Sequence, residues 1–218
     1  VILSITKELV VIQMIINKSD YRLSELNFVK KETKKNRIII GNSFSTKMNH
    51  FIGWTTRWFG SYNKCANYTV TLSGEIIEHF PPKYYSQFLN NLELNKKSIS
   101  IVLENEGWLV DNPLNSGQYV NYIGEVYGRD DNVVDKKWRN KRFWAPYSIP
   151  QLDSATLLVR KLCTDFNIPI NVIPHNISFD EPDRFSGVLY KSNFKKYYSD
   201  VSPAWDFIKF KDKVENDK

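Results

Sequence analysis

The chain holds three histidines, few enough for each to be weighed by its place. His175 follows the short apolar stretch 170–173 and Pro174, at the tip of an expected strand. Asp200 opens Asp200-Val201-Ser202-Pro203-Ala204-Trp205-Asp206-Phe207, a carboxylate ahead of a proline turn and an aromatic anchor. An imidazole and a carboxylate on adjacent tips supply two of the three protein ligands that a catalytic zinc needs. A His–Asp pair alone is more often structural than metal-binding. Gly41, after Ile38-Ile39-Ile40, has the same placement at the tip of an expected strand, so both tips would face one cleft. His79, just beyond a hairpin, reads as a surface histidine.

The elements that must position these residues follow from periodicity. In the strand expected over 37–40, residues 38–40 are β-branched and apolar after the basic lead-in Lys34-Lys35-Asn36-Arg37, the pattern of a strand buried on both faces. In an open α/β sheet, ligands gather at the C-terminal ends of such strands. Residues 49–59 carry aromatics at helical spacing and predict a short amphipathic helix. Two β-rich runs flank Ser73-Gly74 within 67–78, the signal of a hairpin. Pro81-Pro82 ends it and a short helix is expected over 83–92. Residues 98–105 form a second buried strand that turns polar at its end. Leu152, Ala155, Leu158, Val159 and Leu162 mark the buried face of a helix over 151–166, closed by Asn167 and Pro169. A last strand is expected at 170–173 and a short helix after Pro203. Residues 5–16 fit either a helix or an edge strand, with helix favoured.

The segment 106–150 is rich in Gly, Asn, Asp and aromatics. So long an irregular stretch inside a domain is usually functional, and Trp108, Tyr119 and Trp144 are its candidate ligand-binding residues. At 218 residues, with no repeat and no linker, the chain reads as one α/β domain. Its net charge of +6 favours anionic partners, but the lysines and arginines are spread out, so a nucleic-acid role rests on charge alone. Cys65 and Cys163 lack a CxxC spacing and suit buried free thiols better than a redox or zinc pair, although a disulfide stays open. The apolar N-terminal run is interrupted by Lys7, Glu8 and Gln13. It is no convincing signal peptide and is too short to span a bilayer.

The succession of elements resembles the zinc-dependent type 2 N-acetylmuramoyl-L-alanine amidases, the fold of bacterial amidases, peptidoglycan recognition proteins and amidase-type phage lysozymes. The resemblance runs from about Glu32 to Phe207. It rests on Glu32-Thr33-Lys34-Lys35 before the Ile run, the hairpin Tyr68 to Ile77, Ser98 to Glu104, and Asp200 to Phe207. The insertion and Ser186-Gly187-Val188-Leu189-Tyr190-Lys191-Ser192-Asn193 are similar to the phage branch. The resemblance implies a single mixed β-sheet flanked by helices with a long irregular insertion. It divides the chain into an N-terminal extension (1–31), an amidase-like domain (32–210, insertion about 106–150) and a charged tail (211–218).

It also implies that His175 and Asp200 are the second and third zinc ligands, with Gly41, which has no side chain to donate, in the place of the first, so that Asn42 or His50 would have to replace it. Val102 stands where the family carries its catalytic Glu, Ala66 close to the alternative Tyr, Phe88 at a substrate-facing His and Tyr198 at an expected Lys. Glu104, on the same strand face as Val102 one pleat on, is the remaining candidate for a catalytic carboxylate. The expectation is an amidase-fold protein that has lost zinc catalysis and needs no cofactor. It would bind peptidoglycan or neighbouring virion proteins, in a phage particle or at the bacterial cell wall or periplasm after delivery. The alternative is an active zinc amidase with an altered metal site.

Overall fold

The computed structural model describes residues 14–128, 132–177, 181, 184–195 and 197–216. In chain order the described strands are β1 (Ile16–Asn17), β2 (Arg37–Asn42), β3 (Tyr68–Val70), β4 (Ile76–Glu78), β5 (Ser98–Leu103), β6 (Trp108–Asp111), β7 (Tyr119–Val120), β8 (Val134–Trp138), β9 (Lys141–Trp144) and β10 (Gly187–Tyr190). The helices are α1 (Asn49–Thr56), α2 (Leu92–Lys97), α3 (Ile149–Phe166) and α4 (Phe207–Asn216).

The main sheet has the order β1-β4-β3-β5-β2-β10. It is mixed: β3 and β4 pair antiparallel as a hairpin, and every other pair is parallel. β2 lies between β5 and β10, and its three isoleucines are fully buried. Ile38 and Ile40 pack with Ile99, Ile101, Leu158 and Leu162 on the α3 side, whereas Ile39 packs with Phe80, Phe88 and Val102 on the other. Both faces are covered, which is why the strand reads as an unbroken apolar run. Cutting one of these isoleucines to alanine would cost about 2–5 kcal/mol, from lost transfer energy and the cavity left behind.

α3 follows its sequence signals closely. The Ser148 side chain accepts from the Gln151 N–H at 3.1 Å, Pro150 sits in the first turn, and Asn167 closes the helix in the left-handed conformation. All five predicted core residues are buried. The hairpin also forms where predicted. Gly74 has φ +89°, and a Cβ there would meet the Pro150 carbonyl at 2.8 Å, so the turn requires glycine.

Several expectations are corrected. Residues 83–91 are not helical, because their backbone groups take distant partners instead of i−4 carbonyls. Gln87 N–H donates to Asn63 O at 2.7 Å and Leu89 N–H to Asn95 Oδ1 at 2.8 Å. The helix begins only at Leu92, capped by the Asn91 side chain. Between Pro169 and Pro174, neither of which can donate a ladder bond, only Val172 bridges to Val188. The insertion is not irregular: β6–β9 form a second, antiparallel sheet, ordered β7-β6-β9-β8, with its own core of Leu109, Tyr127 and Ala145.

The two ends also differ from a plain extension and tail. Residues 1–13, which hold most of the expected N-terminal helix, lie outside the described residues, and Ile16–Asn17 is a strand paired with β4. Leu23 and Asn27 are buried in the domain. Lys211 to Asn216 belong to α4, which buries Phe210 and Val214 against the main core. Cys65 and Cys163 are free and buried. Among the described residues no helix is long and apolar enough to cross a membrane.

Candidate functional site

A cleft of about 1000 Å³ opens at the C-terminal ends of β2 and β5. Asn42, Phe88, Val102, Glu104 and Lys191 line it from the domain side, Trp108 and Tyr122 from the insertion. The main sheet thus supplies the floor and the insertion a wall, the placement expected for a ligand site on a parallel sheet.

Gly41 stands directly opposite Val102 in the β2–β5 ladder. A Cβ at position 41 would lie 3.4 Å from Asp200 Oδ1, 3.5 Å from Lys191 Cδ and 3.0 Å from Phe88 Cζ. A side chain at position 41 would therefore start beside Asp200, against the lysine stem and tightly against the phenyl ring. Asp200 is 2% exposed, and its Oδ1 accepts the Asn42 N–H at 2.9 Å. Burial raises the affinity of its carboxyl for a proton, while Lys191, the Asn42 N–H and Arg139 pull it back.

His175 is also buried, ringed by Trp138, Tyr190 and Phe207 at centroid distances of 5.8, 5.9 and 6.2 Å. Its Nδ1 has no hydrogen-bond partner. Burial first, then the charges of Lys136 and Arg139, lower its pKa to about 4. One short turn joins the two residues: Ser192 N–H donates to Asp200 O and Ser192 Oγ to His175 O, both at 2.6 Å. Neither His175 nor Asp200 lines the cleft.

This donor set does not fit a zinc ion. Position 41 offers no ligand atom, a cationic side chain and a ring stand against the place of its Cβ, and two more cations stand beside His175. Among the described residues no cluster of three histidine, cysteine or carboxylate side chains could hold a metal. Asn42 does not fill the gap, since its side-chain oxygen accepts the Phe44 N–H at 3.2 Å, although its Nδ2 is buried without a partner.

His50 reaches the cleft but is committed elsewhere, and His79, expected at the surface, is fully buried. The two are joined through Thr69 in a chain whose polarity is fixed. His79 Nδ1 lies 2.7 Å from the Tyr21 carbonyl and must donate to it. Burial lowers the pKa of His79 to about 4 and that of His50 to about 3, with the charge of His79 as a second cause for His50, so both rings are neutral. His79 Nε2 then accepts the Thr69 hydroxyl at 2.8 Å, and Thr69 Oγ1 accepts from His50 Nε2 at 2.9 Å. His50 Nδ1 is left as an acceptor, 3.3 Å from Ser45 Oγ.

Glu104 is likewise occupied. Its Oε1 accepts the Met48 N–H at 2.7 Å and its Oε2 the Leu72 N–H at 3.2 Å, a brace between the loop before α1 and the hairpin. Of the aromatic candidates, Trp108 lines the cleft with Lys141 Nζ 3.4 Å from its ring centre. Tyr119 packs on Phe143 inside the insertion, and Trp144 is buried there with its Nε1–H on Lys136 O at 2.7 Å, so neither faces the cleft. Lys191 and Arg139 were not candidates on sequence. Lys191 lay within a quoted family-like segment, and only the fold brings its side chain to Gly41.

A mixed sheet flanked by helices, with a cleft at its strand ends and a His and an Asp on the closing turns, defines the amidase class of fold. The chain belongs to the N-acetylmuramoyl-L-alanine amidase family, whose model matches residues 9–184. Solved structures agree on the fold. N-acetylmuramoyl-L-alanine amidase LysC from Clostridium intestinale URNW aligns with a TM-score of 0.51 and 12% identity over 91% of this chain and 96% of that one. PlyL aligns with a TM-score of 0.53 and 15% identity over 92% and 97%. A mutant endolysin from Bacillus subtilis gives 0.52 and 13% over 93% and 99%. No curated protein sequence matches the chain.

Proposed function

We propose that this protein is an amidase-fold binding module that has lost zinc catalysis and holds peptidoglycan in the cleft between the main sheet and the insertion. One observation carries the reading: position 41 has no side chain to offer, and Lys191 and Phe88 stand against the place of its Cβ beside Asp200. Scaffold and site are separable, so a core can outlast its chemistry. Val102 and the doubly bonded Glu104 are consistent with this, since neither offers a free carboxylate to the cleft. The reading places the protein in a phage particle or at the bacterial cell wall or periplasm, with the insertion free to meet a neighbouring virion protein.

The test is direct. Purified protein should co-sediment with peptidoglycan and release no stem peptide from muropeptides, with or without added zinc. Metal-dependent release would sink the reading.

A second reading keeps an active zinc amidase with an altered site. It is favoured by the unpartnered, buried Nδ1 of His175. It predicts stoichiometric zinc in the purified protein and loss of turnover in His175→Ala or Asp200→Ala.

A further inference from the structure

We propose that the Lys191 ammonium is the resident cation of this cleft, its stem lying against the place of a residue-41 side chain, and that it recognises a carboxylate of the bound ligand. This deepens the peptidoglycan-binding reading and rests on it.

The lysine is held in place by its backbone. It opens the tight turn Lys191–Asn193, in which Asn193 Oδ1 accepts the Tyr190 N–H at 2.7 Å and Asn193 Nδ2 donates to Pro174 O at 2.8 Å. The next residue, Ser192, is bonded to the main chain of both His175 and Asp200. From this turn the lysine stem passes Gly41, with Cδ 3.5 Å from the missing Cβ. The ammonium ends 4.9 Å from the ring centre of Phe88 and 5.1 Å from that of Tyr198. Two aromatic faces thus flank the charge, and the side chain lines the cleft. Among the described residues no carboxylate lies within ion-pair distance of it, and the buried Asp200 acts on it through charge alone, its Oδ1 bonded to the Asn42 N–H. An ammonium without a bonded counter-ion, at the floor of a pocket walled by protein, is suited to an incoming anion as a point charge with three donors. Its neighbour in the cleft, Asn42 Nδ2, is a buried donor without a partner.

Lys191→Met keeps the length and packing of the stem and removes the charge. Calorimetric titration would compare wild type and this variant with two probes, N-acetylmuramoyl-L-alanyl-D-glutamate and its fully amidated counterpart. The free acid should bind wild type more tightly than the amide does, and the variant should lose about tenfold for the acid and little for the amide. If wild type binds acid and amide alike, or if the variant binds the acid as wild type does, the assignment of Lys191 fails while peptidoglycan binding stands. If wild type binds neither probe, both fail. A second measurement tests the placement. Zinc should be absent from Gly41→His and stoichiometric in Gly41→His/Lys191→Ala, where both the charge and the stem are gone from the site. Zinc in the single variant, or none in the double, would overturn it.

Discussion

The two sides of the cleft have met opposite fates. On the α1 side, Ser45, His50, Thr69, His79 and the Tyr21 carbonyl form one unbroken chain of hydrogen bonds, and Glu104 saturates two backbone donors. On the Gly41 side, an imidazole nitrogen and an amide nitrogen are left without partners, and a lysine stem and a ring stand against the place of the missing side chain. Buried polar groups are costly unless satisfied. The first side therefore contributes stability, although Gln151 Oε1, whose amide nitrogen bonds the Glu104 carbonyl, is unpartnered there. The second tolerates two unpartnered nitrogens, a feature more in keeping with a site that meets a ligand than with a core.

The largest effect that would sharpen this contrast is that of pH. His50 and His79 titrate at about 3 and about 4 in the folded chain, below their ordinary 6.5. The unfolded chain takes up these protons first as pH falls, so stability is full above about 6.5 and is lost progressively down to about 3. The combined loss should be on the order of 8 kcal/mol, and His175, lowered to about 4, adds to it in the same window. Urea unfolding across that window should show it, with a shallower slope in His50→Gln. An equal slope would mean that the relay is not what titrates.

Thr69→Val should come next. It preserves shape but strands a nitrogen of each histidine, at a cost of about 3 kcal/mol in the same unfolding assay. Glu104→Gln should cost about 2 kcal/mol, because an amide turns one donor group toward a backbone N–H that needs an acceptor. A drop in binding with unchanged stability would instead give Glu104 a role toward ligand. The smallest effect is expected on the emptied side. His175→Ala forfeits ring packing against Trp138, Tyr190 and Phe207 but no Nδ1 hydrogen bond, so about 1–2 kcal/mol is expected. Zinc that stabilises wild type but not His175→Ala would break the comparison by showing that His175 works as a ligand.

Much of the scaffold was legible before any coordinates. The Ile38–Ile40 run, the hairpin around Gly74 and the face of α3 each follow from local rules, and each forms where those rules place it. Residues 83–91 did not, because long-range bonds to Asn63 and Asn95 outcompete local helix formation. The insertion's sheet was hidden by strands of two to five residues, too short for alternation to register. The site was half legible. Gly41, His175 and Asp200 could be singled out by type and position, but the burial of His79 and the bonds to Glu104 are contacts between residues ten to fifty-eight apart.

By itself, the sequence determined the β2 run, the hairpin and α3, and that Gly41 carries no ligand atom, since hydrophobic periodicity and residue identity are local properties. Only the tertiary structure decided what stands against that position. Lys191 and Gly41 are far apart along the chain, and the parallel pairing of β10 with β2 carries the lysine past the glycine and the aspartate. Which side chain fills a space depends on strand register and packing across the sheet, and neither is written in the spacing of residues along one strand.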